Sequence, residues 1–88
     1  MSATTPDVAR LAELVARATD DRVTAEEIVG STEPLAALGV TSLALLRLAD
    51  SLESEYGILI DLGDRALHTE GLPGLAVHVE ELTMRGTR

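Results

Sequence analysis

Val8, Leu11, Leu14, Val15 and Ala18 recur at intervals of three and four, with Arg10, Glu13 and Arg17 on the other side. That spacing predicts an amphipathic helix with one apolar face. Pro6 and Asp7 open it, since proline is tolerated in a first turn and an acid there meets the positive end of the helix dipole. The helix is expected to end at Ala18 or Thr19. Periodicity then lapses over residues 20–40, where Thr24, Gly30, Ser31, Thr32, Pro34 and Gly39 gather. So long a connection in so short a chain is expected to be functional or internally packed. Val23, Ile28 and Val29 are its candidate anchors, residues 24–27 a candidate short turn, and Leu35 and Leu38 should tuck beneath the bundle.

The pattern resumes after Val40. Thr41 is a good N-cap, Ser42 opens the first turn, and helix formers continue to Tyr56 before Gly57 stops them. Leu45, Leu48, Leu52 and Tyr56 share a face that should be core. Leu43, Leu46, Arg47 and Asp50 share an adjoining face that should be partly exposed, where Arg47 can pair with Asp50 at i,i+3. Ile58 and Ile60 alternate like a strand, but no second run exists to pair with them. They read as an extended segment feeding two side chains into the core. A short helical turn is expected around Arg65 to Leu67, and a last helix from Pro73 with Leu75, Val79 and Leu82 on its inner face. The tail from Met84 to Arg88 is expected to be loose.

The prediction is therefore all-α: a small four-helix bundle of three longer helices and a short third one, with a long loop between helices 1 and 2. Its 88 residues make one domain, 1–88, with an ordered core of about 6–83. Tyr56 is the only aromatic residue, so Leu, Val, Ile and Ala must build the core, which favours helices over a sandwich or barrel. Without cysteine there is neither a disulfide nor a thiolate metal site. No apolar run approaches a membrane span and the first ten residues do not read as a secretory signal, so a cytoplasmic protein is expected. The net charge of −8, with arginine as the only basic residue, argues against nucleic acid and favours partners with basic patches.

The chemistry-bearing stretch is Leu38-Gly39-Val40-Thr41-Ser42-Leu43, followed by the helix and by Tyr56-Gly57-Ile58-Leu59-Ile60. An isolated Thr-Ser-Leu does no more than cap a helix. In this order, over roughly residues 35 to 62, the stretch resembles the acyl carrier protein family, whose pattern is Leu-Gly-x-Asp-Ser-Leu, a helix, then an aromatic-Gly-Ile-x-Ile exit. The resemblance implies a four-helix bundle with a covalent 4'-phosphopantetheine arm on Ser42. A separate magnesium-dependent transferase installs the arm from coenzyme A, so the domain needs no catalytic residue and no metal of its own. Independently of the resemblance, a helix N-terminus offers an exposed oxygen on a rigid element, with free amides that tolerate a phosphodiester.

The chain departs from the family's pattern in two places. Thr41 stands where the family has Asp, Asn or His. Ala44 and Arg47 stand where acids are common, and acids return only at Asp50, Glu53 and Glu55. Expected partner-recognition residues are Thr41, Leu43, Leu46, Arg47, Asp50 and Glu53. Expected partners are a phosphopantetheinyl transferase and acyl-loading, condensing or tailoring enzymes of a specialised polyketide- or lipid-type pathway. The carrier is expected to be a stand-alone monomer. A peptidyl or aminoacyl carrier of nonribosomal peptide synthesis is the near alternative, and an unmodified helical interaction module the distant one. His68 and His78 read as surface or helix-face residues. Asp20-Asp21 and Glu26-Glu27 lack the spacing of a cation loop.

Overall fold

Asp7 caps the first helix: its side chain accepts a hydrogen bond from the Ala9 amide at 3.0 Å, and α1 runs over Val8–Ala18. The computed structural model describes residues 7–61 and 71–86. Among them the chain is all-helical, a small helical bundle of α1, α2 (Ala25–Val29), a 3-10 turn (Leu35–Leu38), α3 (Ser42–Tyr56) and α4 (Leu72–Gly86). The short helix expected around Arg65 to Leu67, and His68, lie outside the described residues. The short helix that is described is α2, inside the connection between α1 and α3, where the sequence predicts a short turn over residues 24–27.

α1 is the hub and packs against α2, α3 and α4. Leu11, Leu14, Val15 and Ala18 are buried as their spacing predicts, and Ala12 and Ala16 join them. Three neighbours demand a wider buried face than one apolar stripe, and alanine lets a neighbouring helix approach closely. Val8, expected on the buried face, is exposed at the helix start. A second tie to α3 is ionic: Arg10 meets Glu55 through Nε–Oε2 at 2.9 Å and Nη2–Oε1 at 3.1 Å. This fork holds the Glu55 carboxyl below its ordinary range and pushes the Arg10 guanidinium up.

The connection is internally packed. α2 starts in a capping box, with Glu27 N donating to Thr24 Oγ1 at 3.1 Å and Thr24 N to Glu27 Oε1 at 2.9 Å. A helix this short buries one side chain, Ile28, and leaves Val29 exposed, so Val29 is not the anchor its hydrophobicity suggested. Val23 packs partly against the core, as does Leu38, while Leu35 is fully buried.

Ile58 and Ile60 are buried and Leu59 between them is exposed, so alternation here marks an extended segment feeding the core. α4 buries Leu72, Leu75 and Val79, with Leu82 packed partly against them. Its last turn includes Met84 and reaches Gly86, so the helix extends into the stretch expected to be loose. At its start the chain passes so close to the Glu33 carbonyl that a Cβ on Gly71 would collide with it.

Candidate functional site

Three backbone devices place Ser42. The 3-10 turn ends at Gly39, whose φ of +98° is a left-handed conformation that L side chains rarely adopt. Val40 N then donates to the Leu35 carbonyl at 3.1 Å, and both side chains are buried, which anchors the loop on the core just before the helix. Thr41 caps α3: its Oγ1 accepts from Ala44 N at 3.2 Å, and its carbonyl from Leu45 N at 2.8 Å. Ser42 is therefore the first residue of a fifteen-residue helix whose buried stripe is Ala44, Leu45, Leu48, Ala49 and Leu52.

The Ser42 side chain is exposed and its hydroxyl makes no hydrogen bond among the described residues. Helix α3 has no acid in its first turn. Around the serine lie Leu43 and Leu46, which are 57% and 52% exposed, and then Arg47.

The sequence-predicted recognition residues divide on inspection. Leu43, Leu46 and Asp50 are exposed on α3. The Thr41 hydroxyl is engaged in the cap. Glu53 turns inward, its Oε2 accepting from Ile60 N at 3.1 Å, so its carboxylate helps fix the extended segment after α3. Arg47 pairs with Asp20 at 2.9 Å rather than with Asp50 one turn away. Asp20 reaches it because Asp20 and Asp21 take left-handed φ values of +59° and +63° directly after α1, which turns the chain back towards α3. Aspartate tolerates that region better than most residues. The turn is held by Asp21 N donating to the Ala16 carbonyl at 2.9 Å and by Thr19, whose Oγ1 donates to the same carbonyl at 2.8 Å.

An open cleft of about 140 Å³ lies between this turn and the start of α3. Its lining includes Thr19, Arg22, Gly39, Thr41, Leu43 and Arg47. Sequence reasoning missed Arg22 as a member of the site. Nothing local marks it, because it reaches the cleft only through the two left-handed aspartates.

Among the described residues no group of three or more His, Asp or Glu is placed to hold a metal ion. His78 is half-buried on α4, away from the cleft's lining. The arrangement can present an oxygen. A phosphodiester fits here: the hydroxyl is exposed and unbonded, no carboxylate occupies the first turn, and two guanidinium groups line the adjoining cleft against one carboxylate, Asp20, which is itself paired with Arg47.

A family model described as a phosphopantetheine attachment site matches residues 9–68, from the first turns of α1 through the whole of α3. No curated protein and no solved structure matches the chain.

Proposed function

The chain belongs to the phosphopantetheine-attachment family of carrier domains, to which the arm is bound covalently, and we propose from this that Ser42 carries it. One observation supports the assignment above all others. Ser42 is an exposed hydroxyl with no hydrogen-bond partner among the described residues, at the rigid start of α3, inside the matched segment. The bound arm supplies a flexible thiol that holds acyl groups as thioesters. The chain's own residues orient its attachment point and provide the surface beside it.

In this reading the whole chain, residues 1–88, acts as a single acyl carrier domain of a specialised polyketide- or lipid-type pathway in the cytoplasm. It contributes no catalytic group. A transferase loads Ser42, and condensing or tailoring enzymes then dock over Leu43 and Leu46. The charge of −8 draws the carrier towards basic surfaces at long range. At contact, Arg47 stands where an acid is usual in the family, which turns the carrier away from enzymes that require that acid. Carrier domains in general engage a phosphopantetheinyl transferase and biosynthetic enzymes, so the transferase is the first partner to test.

The test is the intact mass after incubation with coenzyme A, magnesium and a broad-specificity transferase. One added phosphopantetheine on the parent chain and none on Ser42→Ala is expected. An unchanged mass with several transferases would turn the reading towards an unmodified helical interaction module.

A further inference from the structure

The two neighbours of Ser42 in the chain, Thr41 and Leu43, both line the cleft between the turn after α1 and the start of α3. Its walls combine two kinds of chemistry. Ala18, Leu43 and Ala44 give it an apolar side, and Arg22 and Arg47 give it two cations against one carboxylate, Asp20, in a chain that is otherwise strongly acidic. Arg22 has no ion-pair partner among the described residues. Arg47 has one, Asp20, but both side chains are largely exposed at 46% and 73%, so the pair is of little net worth and easily exchanged. A space of this order takes a compact apolar group of about six heavy atoms, as a roughly 150 Å³ cavity takes benzene, and because the cleft is open a phosphate can sit at its mouth.

We propose that this cleft is a resting site for the arm on Ser42, binding its phosphate beside the guanidinium groups of Arg22 and Arg47 and its branched dimethyl segment against Leu43, Ala44 and Ala18. The inference rests on the assignment of Ser42. Guanidinium groups pair with phosphate oxygens through parallel N–H donors, and such charge-assisted bonds are the stronger kind. The arm is also tethered one residue from the cleft's edge, so it meets the site at an effective concentration in the millimolar range. Even a weak site is then well populated. A carboxylate from a docking enzyme could compete for the same arginines, but it lacks that advantage until the enzyme has bound. Resting there keeps the arm against the loop side of α3 and over Leu43, so docking of a partner on Leu43 and release of the arm become linked events.

The test compares ¹⁵N-labelled apo and loaded protein by NMR, with no partner enzyme present and with mass spectrometry establishing that the arm is on Ser42. Amide shift changes are expected at Thr19, Arg22 and Gly39, together with the side-chain Nε–H groups of Arg22 and Arg47. In the purified loaded fraction of Arg22→Gln, the changes at Thr19 and Gly39 are expected to be lost, with circular dichroism showing the helical content retained. Changes confined to residues 41–44 would overturn the proposal, leaving the arm in solvent. Changes along Ile58, Ile60 and α4 would overturn it in favour of the opposite side of α3. Persistence of the changes in Arg22→Gln would overturn the role given to the guanidinium. Loading at a residue other than Ser42 would instead overturn the assignment on which the inference rests.

Discussion

Asp20 and Arg47, 27 residues apart in the chain, meet at 2.9 Å and close the turn after α1 onto the face of α3 that follows Ser42. The pair balances the charge of Arg47 beside the exposed Leu43 and Leu46. Replacing Arg47 by Glu puts two carboxylates opposite each other and reverses the local charge. Because the pair is exposed and worth at most about 1 kcal/mol, the fold should survive, with Tm falling by no more than about 8 °C. The rate of loading by a given transferase should change by a larger factor than the fraction folded. Collapse of the helical signal in Arg47→Glu would instead make Arg47 a structural residue and remove it from recognition.

Gly39 holds φ +98° one residue before the Val40 anchor, and a Cβ there would meet only Val23 Cγ2 at 3.8 Å, an ordinary contact. Space is therefore available and conformation is not. Gly39→Ala should destabilise the protein by about 1–2 kcal/mol, read from the urea midpoint at constant slope. Gly39→Asn should lose less, because asparagine tolerates positive φ better. Equal losses for the two variants would show that the strain is not conformational.

Much of α3 could be read directly from the chain. Leu45, Leu48 and Leu52 share a helical face, Thr41 and Gly57 punctuate its ends, and the structure buries those leucines and leaves Leu43 and Leu46 in water. The residues that escaped were those whose role depends on a distant partner. Arg47 faces Asp20 and not Asp50 because of two consecutive left-handed aspartates, which no hydrophobic pattern encodes. Glu53, which looks like part of an acidic stripe, is occupied by the Ile60 amide. Ala12 and Ala16 are buried, yet alanine marks no face in a sequence because it is equally at home on either. Val8 and Val29 failed in the opposite sense, being apolar side chains near the ends of helices with no core to reach. The hydroxyl of Ser42 was legible as a position, and the cleft beside it was not.

The Thr24–Glu27 capping box fixes the start of α2 within the connection. Thr24→Ala and Glu27→Ala should each cost about 1 kcal/mol, and the double variant should cost less than the sum because the two bonds support one another. Full additivity in denaturant titrations would mean that the two bonds act independently. Loading of Ser42 should be unaffected, since neither side chain lines the cleft.

The Arg10–Glu55 fork predicts an acid-side loss of stability. Arg10 holds the Glu55 carboxyl below its ordinary value of 4.5, chiefly by side-chain hydrogen bonding. A carboxylate depressed in the folded state contributes stability that is fully present above its unfolded value and lost as pH falls through the folded one. Tm of the parent should therefore exceed that of Glu55→Gln near neutral pH, and the two should converge below about pH 4.5. A gap that stays constant down to the acid limit would show that the fork adds nothing through ionisation.

The central claim is that Ser42 carries the arm, and fragmentation of the loaded tryptic peptide tests it most directly. Cleavage after Arg22 and Arg47 yields the segment Val23 to Arg47, which holds Ser31 and Ser42 as its serines. The account predicts that the added mass lies on Ser42 and that Ser31→Ala loads like the parent. Added mass on Ser31, or undiminished loading of Ser42→Ala, would contradict it.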